Sequence, residues 1–155
     1  MHLFLLRHGL ADWPDWNGSD DDRPLTETGR EELREVAKFV ARLKRPPTLI
    51  LTSPLPRANQ TARIVAEKVR AELREEPELR PGFSLANLSS ILTRSSVEAL
   101  MLVGHEPDFS GAVRALTGGR IKMSKGAIAC VEIDSRQANG ILLWLVSPKL
   151  IRAVR

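Results

Sequence analysis

Three short apolar runs constrain the fold of this chain more than any other feature of its sequence. They are Leu3-Phe4-Leu5-Leu6, Thr48-Leu49-Ile50-Leu51 and Ala99-Leu100-Met101-Leu102-Val103. Each run is long enough for a strand that is buried on both faces. Segments with helical periodicity separate the runs, and this alternation is typical of a mostly parallel sheet with helices on both sides.

Amphipathic segments predict the helices around this sheet. The first begins near Thr26, where Asp, Glu and Thr supply capping chemistry, and prolines end or begin several of the others. The predicted helices span about residues 26–45, 56–76, 85–92 and 107–116. Two β-rich runs close the chain, over residues 127–133 and 141–146, and a polar segment that ends in Asn139-Gly140 joins them as an antiparallel pair. We therefore expect one domain over residues 1–155, a three-layer α/β/α domain with a mostly parallel central sheet.

Polar residues follow each apolar run at the point where the strand ends. Arg7-His8-Gly9 follows the first run, Thr52-Ser53-Pro54 and then Arg57 follow the second, and Gly104-His105 follows the third. In an open parallel sheet, ligands bind at the carboxyl ends of the strands, where these residues would converge. Two histidines and two arginines at such an edge indicate phosphoryl transfer through a histidine nucleophile.

The chemistry of each residue type supports this interpretation. A guanidinium stays charged and binds two phosphate oxygens in a fork, so Arg7 and Arg57 are candidates to hold one phosphate. A histidine attacks only when it is neutral, and nearby arginines lower its pKa. His8 is the candidate nucleophile, and His105 is a candidate hydrogen-bond donor to the transferring oxygens. Backbone amides around Gly9 are expected to add dipoles that bind the anion.

Composition excludes several other classes of function. The sequence has no cluster of residues with metal-ligand spacing, so we expect a site without metal or cofactor. The net charge is +4, but the basic residues alternate with acidic ones and tyrosine is absent, which disfavours nucleic-acid binding. The small positive charge instead favours anionic substrates. No apolar stretch predicts a membrane span, and the first residues do not form a signal peptide. The single cysteine, Cys130, is expected to be buried filler, and the chain to be a cytoplasmic monomer.

Five stretches carry a resemblance to a known family. They are LFLLRHG at 3–9, DRPLTETGREE at 22–32, LTSPLPRANQTA at 51–62, VGHEPDFS at 103–110 and LLWLVSPKL at 142–150. The chain resembles the histidine phosphatase superfamily, also called the phosphoglycerate-mutase-like family. Within it, the chain looks most like the small SixA-type phosphohistidine phosphatases.

The resemblance implies roles for the matching positions. His8 matches the residue that becomes transiently phosphorylated, and Arg7, Arg57 and His105 match the rest of the phosphate pocket. The block with Thr26 and Gly29 is implied to open the helix that braces the first strand. Ser53 has two interpretations, as a cap of the following helix or as a contact of the phosphate.

The general acid is not evident. Larger family members supply a glutamate from an insertion after the helix that carries the second arginine, but here that region is short, and Glu75, Glu76 and Glu78 match no such context. Glu106 lies where the acid-phosphatase branch has an aspartate proton donor, and it is the candidate acid. Its alternative role is to begin the next helix, where the helix dipole favours a carboxylate.

The loop after His8 departs from the family pattern. Leu10 occupies a position that commonly holds an acid, and Asp12 is the candidate to replace it. Trp13 and Trp16 lie in the same loop, either as a rim for a partner protein or as packing of the loop onto the domain.

Three functions remain open from the sequence. The first is a phosphatase for phosphohistidine on a protein. The segment that covers the site in larger family members is short here, which fits a phosphate carried by a protein. The missing acid fits as well, because the P–N bond of a phosphorylated imidazole is weak. The second is a phosphatase for small phosphomonoesters with the same pocket. The third is a phosphoprotein-binding module with negligible turnover. A mutase is disfavoured, because no residues that would hold a bisphosphate are visible.

Overall fold

A computed structural model of the protein describes residues 1–134 and 139–154. The strands are β1 (His2–Arg7), β2 (Leu49–Thr52), β3 (Glu72–Glu75), β4 (Ala99–Gly104), β5 (Ile128–Asp134) and β6 (Asn139–Val146). The α-helices are α1 (Glu27–Ala41), α2 (Pro56–Val69), α3 (Leu85–Arg94), α4 (Asp108–Thr117) and α5 (Pro148–Ala153). Two short 3₁₀ helices span Asp20–Asp22 and Pro77–Leu79.

The six strands form one mixed sheet in the order β3-β2-β4-β1-β5-β6. The first four strands of that order are parallel, and β5 and β6 pair antiparallel at the other side. The registers pair Arg7 with Gly104 and Thr52 with Val103, so β1, β2 and β4 end nearly level. This level edge brings the residues that follow the three strands together.

Helices cover both faces of the sheet. Side chains alternate along β1, so that Leu3 and Leu5 belong to one buried cluster and Phe4 and Leu6 to the other. The first cluster includes residues of α3 and α4, and the second includes residues of α1, α2 and α5. The predicted three-layer α/β/α arrangement is therefore confirmed.

The start of α1 rests on the loop that follows β1. Thr26 caps the helix, because its Oγ1 accepts a hydrogen bond from the Gly29 N–H at 3.0 Å. The Thr26 N–H and hydroxyl both donate to the Leu10 carbonyl, at 2.9 and 3.2 Å. At Gly29, a Cβ would lie 2.3 Å from that same carbonyl oxygen, so only glycine fits there. The two residues thus open the helix, as the resemblance implied.

Residues 70–76 correct one prediction. The second helix was expected to continue to Pro77, but α2 ends at Val69 because Arg70 is left-handed, with φ at 58°. Residues Glu72–Glu75 instead form the edge strand β3, which pairs with β2 through its backbone. An edge strand accommodates exposed charged side chains, although the sequence of these four residues is not typical of a strand.

Helix α1 and the last two elements of the chain also differ from the prediction. The first helix ends at Ala41, several residues before Pro46. Asn139 and Gly140 belong to β6 and not to a turn, and residues 135–138 of the predicted polar connection lie outside the described residues. The short helix α5 was not predicted; Ser147 caps it by accepting from the Leu150 N–H. Within the described residues, no helix is long and apolar enough to span a membrane.

The close approach of Gly29 to the Leu10 carbonyl can be tested by measuring protein stability. We expect Gly29→Ala to lower the free energy of unfolding by about 1–3 kcal/mol, because the new methyl group collides with backbone. The matched control is Gly111→Ala in α4, where a Cβ has no neighbour within 4 Å. That control should raise stability by about 0.5–1 kcal/mol, because alanine favours the helix. Urea unfolding measures both, and equal effects of the two variants would contradict the account.

Candidate functional site

The candidate site lies where β1, β2 and β4 end. Arg7 is the last residue of β1, His8 follows it, and His105 directly follows β4. Arg57 lies in the first turn of α2. The two imidazole rings are 5.4 Å apart between centroids, and the charges of both arginines act on both histidines. The structure therefore brings together all four residues predicted from the strand ends.

His8 is held in one orientation by three hydrogen bonds. Its N–H donates to the Gly104 carbonyl at 3.0 Å, and its carbonyl accepts from the Gly126 N–H at 2.9 Å. The ring Nδ1 lies 2.8 Å from the Gly9 carbonyl oxygen. A carbonyl oxygen can only accept, so Nδ1 carries the ring proton. The lone pair of the neutral ring is therefore on Nε2.

The surroundings keep the His8 ring neutral. Burial is the largest cause and lowers the pKa of His8 to about 3, although the hydrogen bond to Gly9 opposes the change. The neighbouring positive charges of Arg57 and Arg7 lower this pKa further. At neutral pH the ring is thus in the form that a nucleophile requires.

Arg57 is buried and Arg7 is half-buried, and neither Nε atom bonds to a carboxylate among the described residues. Arg7 donates through Nη1 to the Met123 carbonyl, and Arg57 donates through Nη1 to the Asp20 carbonyl, each at 2.8 Å. Both Nε atoms are buried and have no hydrogen-bond partner among the described residues. Burial lowers the pKa of Arg57. Buried guanidinium groups with unsatisfied donors favour the binding of an anion.

Ser53 contacts both the site and the turn into α2. Its Oγ lies 2.8 Å from His105 Nε2, and it also accepts a hydrogen bond from the Leu55 N–H at 3.3 Å. Ser53 therefore does not cap α2, because Leu55 is the N-cap residue and no side chain bonds there; Ser53 closes the turn before the helix. Contact of Ser53 with phosphate stays a prediction.

Gly9 differs from the prediction. Its N–H donates to Thr61 Oγ1 at 3.1 Å, and the Thr61 hydroxyl donates to the Arg57 carbonyl at 2.7 Å. The amide is thus used within the fold, and the prediction that the Gly9 amide binds phosphate is wrong. A Cβ at this position would lie 2.6 Å from Leu33 Cδ1, so a larger residue would displace the Leu33 side chain.

Glu106 makes the contact expected of a residue that begins a helix. Its Oε1 accepts from the Ser110 N–H at 2.7 Å, near the start of α4. The alternative interpretation of Glu106 thus matches its geometry, and its role as the acid stays a prediction. The other glutamates considered are engaged elsewhere: Glu75 with Asn59, and Glu76 and Glu78 with Arg94.

The loop after His8 is tied down by its own polar groups. Asp12 pairs with Lys125 and, at 3.5 Å, with Arg23; the hydrogen bond from Lys125 is the main cause that lowers the pKa of Asp12. The Trp13 indole donates to the Pro24 carbonyl, and the Trp16 indole donates to the Ser19 carbonyl. Both indoles thus bond within the loop, and Trp13 and Trp16 are 42% and 37% exposed, so the rim and the packing of the loop onto the domain both stay predictions.

Sequence reasoning missed two features near the site. Arg23 pairs with Asp12 and lies 3.6 Å from Asp20, and its charge lowers the pKa of Arg57. The sequence signal that could have pointed to Arg23 is its position directly before Pro24-Leu25-Thr26, the block that opens α1. The second feature is the segment over residues 123–127, which braces Arg7 and His8 through backbone hydrogen bonds. Cys130 is buried in β5, as predicted.

Comparison with known proteins identifies the class to which this fold and site belong. The chain is a member of the histidine phosphatase superfamily (branch 1), whose sequence model matches residues 3–81. It is therefore related to hydrolases of that superfamily.

Particular relatives cover nearly the whole chain. The phosphohistidine phosphatase SixA of Escherichia coli K12 is 31% identical, over 99% of this chain and 100% of its own length. An uncharacterized protein of a Picosynechococcus species is 37% identical, over 96% of this chain and 98% of its own. Among solved structures, the protein histidine phosphatase SixA in complex with tungstate superposes with a TM-score of 0.85 at 31% identity, covering 96% of this chain and 98% of that one.

The lowered pKa values of the two histidines make stability depend on pH. An unfolded histidine titrates near its ordinary pKa of about 6.5, whereas the pKa is about 3 for folded His8 and about 4 for folded His105. Between these values the unfolded chain binds more protons, so the free energy of unfolding falls as pH decreases from about 6.5 towards 4.

We expect His8→Gln to make this fall less steep by about 1 kcal/mol per pH unit, because one of the two groups that take up a proton on unfolding is removed. Urea unfolding of both proteins at several pH values between 7 and 4.5 measures the difference. Parallel curves for wild type and variant would contradict a neutral, buried His8.

Proposed function

We propose that the protein is a phosphatase that removes phosphate from phosphohistidine on a protein, through a phosphohistidine intermediate on His8. One observation carries the proposal. A neutral imidazole with a free Nε2 lone pair lies beside two guanidinium groups whose Nε donors are buried and unsatisfied. This combination supplies a nucleophile and stabilisation for the negative charge that spreads over the oxygens of a transferring phosphoryl group.

In the first step, His8 Nε2 attacks phosphorus and the P–N bond of the substrate breaks. The substrate imidazole, protonated on its other ring nitrogen, leaves as neutral imidazole and keeps that proton. His8 now carries the phosphoryl group on Nε2 and retains its Nδ1 proton, which donates to the Gly9 carbonyl. Arg7 and Arg57 stabilise the charge on the phosphoryl oxygens in this step.

In the second step, water attacks the phosphoryl group and His8 leaves. Because Nδ1 keeps its proton through the hydrogen bond to Gly9, His8 departs as a neutral ring, and the proton of water goes to phosphate. Neither P–N bond requires a separate carboxylic acid. This accounts for the engagement of Glu106 and of the other glutamates in contacts elsewhere.

The same reasoning favours phosphohistidine over small phosphomonoesters. An alkoxide leaving group needs a proton in the transition state, and each glutamate considered already accepts a hydrogen bond or pairs with a cation. Support for a protein substrate comes from the E. coli relative, which is named a phosphohistidine phosphatase. The exposed rings of Trp13 and Trp16 are candidates to contact that protein.

The first test is reaction with phosphoramidate, a small P–N donor, followed by intact-protein mass spectrometry. Wild type should gain one phosphoryl group that is lost on standing, and His8→Ala should gain none. His2→Gln is the matched control, because His2 lies at the opposite end of β1, and it should behave as wild type. Labelling of His8→Ala would contradict the proposal, and a higher rate on a small phosphomonoester than on phosphohistidine protein would overturn the substrate class.

A second test separates the geometry of Arg57 from its charge. Arg57→Lys should lower kcat/KM by about 10²-fold or more, because lysine keeps the charge but loses the fork and the contact with Asp20. Arg63→Lys is the control on the same helix, where the side chain is exposed and donates to Asn59. Steady-state kinetics measure both, and equal rates would show that Arg57 does not bind the transferring group.

A further inference from the structure

The hydrogen bond between Ser53 and His105 is buried and has few possible arrangements. The Ser53 side chain is fully buried, and its Oγ lies 2.8 Å from His105 Nε2. The Ser53 N–H donates to the Val103 carbonyl at 3.0 Å, which ties the serine to β4, the strand that ends directly before His105. Oγ also accepts from the Leu55 N–H.

The direction of this bond follows from counting protons. The serine hydroxyl has one proton, and Nε2 is the acceptor that it contacts among the described residues. If Nε2 carried the ring proton instead, it would donate to Oγ, and the buried hydroxyl proton would have no acceptor there. Among the described residues, a proton on Nε2 would leave two buried groups unpaired, the hydroxyl proton and the Nδ1 lone pair, whereas a proton on Nδ1 leaves only that proton unpaired. Each buried polar group without a partner costs about 1–3 kcal/mol. The hydroxyl therefore donates to Nε2, and the proton of the neutral ring is on Nδ1.

His105 Nδ1 is itself buried and has no partner among the described residues. We propose that Ser53 is a positioning residue that fixes the tautomer of His105, so that Nδ1–H is held ready to donate to a phosphoryl oxygen. The inference rests on the proposed function for the identity of that acceptor. The tautomer itself does not depend on it.

The two histidines then have complementary roles although both carry the proton on Nδ1. His8 gives its Nδ1–H to the Gly9 carbonyl and keeps Nε2 free, so it offers a lone pair. His105 Nε2 accepts a hydrogen bond from the Ser53 hydroxyl, and Nδ1–H has no partner among the described residues, so His105 offers a donor. Burial, followed by the charges of Arg57 and Arg7, lowers the pKa of His105 to about 4, so the ring is neutral at neutral pH and its tautomer matters.

The tautomer can be read directly on the resting protein. In ¹⁵N-histidine-labelled wild type at pH 7, long-range ¹H–¹⁵N correlations should show His105 with a protonated Nδ1 and an acceptor Nε2. Ser53→Ala should mix the two tautomers or reverse them. The matched control is Thr52→Val, which removes another fully buried hydroxyl one residue earlier on β2, where it donates to the Ser53 carbonyl and does not contact His105. The control should leave the His105 spectrum unchanged.

Kinetics complete the test. Ser53→Ala should lower kcat on phosphoramidate in proportion to the loss of the Nδ1–H tautomer, and by about 10²-fold where the tautomer reverses fully, the loss expected for one donor to the transition state. Ser53→Thr, which keeps the hydroxyl, should recover the wild-type tautomer and most of the rate. Wild-type His105 protonated on Nε2 would overturn the inference, even if Ser53→Ala fails to fold. A correct tautomer with no labelling of His8 would instead overturn the proposed function and leave the Ser53 assignment standing.

Discussion

The parallel pairing of β1 with β4, and of β4 with β2, is the constraint on which the site depends. The register pairs Arg7 with Gly104, and the next hydrogen bond along, from the His8 N–H to the Gly104 carbonyl, extends the same pairing into the loop. On the other side of β4, the Ser53 N–H donates to the Val103 carbonyl. A slip of one residue in either pair would turn every side chain of a strand to the opposite face of the sheet and separate the histidines from the arginines.

Burial at this edge decides the chemistry of the groups that meet there. It lowers the pKa of His8 and of His105, so both rings stay neutral beside two cations. The same burial leaves guanidinium Nε atoms of Arg7 and Arg57 without partners, which is unfavourable for the folded protein until an anion binds. Such unsatisfied and shifted groups are typical of functional sites, where local stability is lower than packing alone would give.

The sequence was sufficient to predict the features that depend on local pattern. β1, β2 and β4 are continuous apolar runs, and α1 has both a helical apolar face and the Thr26 cap. The four clustered side chains were predictable because each follows a strand, and strand ends converge in a parallel sheet. Features that depend on tertiary contacts were not predictable. β3 is a strand because β2 offers a free edge, whereas its own residues, Glu72–Glu75, are mostly charged.

Partners within the site were also beyond the sequence. The Gly9 amide bonds to Thr61, which is 52 residues away along the chain, and no local pattern indicates such a pair. The contact of Ser53 with His105 also spans 52 residues. The Ser53 contact decides which nitrogen of His105 carries the proton, and the Gly9 carbonyl decides it for His8, so the identity of the attacking atom requires the structure as well as the residue types.

The most direct test of the account is to find the nitrogen that carries phosphorus. Protein labelled with ¹⁵N-histidine and reacted with phosphoramidate would show, by ³¹P–¹⁵N coupling, which ring atom is bonded to the phosphoryl group. We expect coupling to Nε2 of His8, because Nδ1 donates to the Gly9 carbonyl throughout. Coupling to Nδ1 of His8 or to a nitrogen of His105 would contradict it, as would turnover of phosphoramidate without any P–N bond to the enzyme.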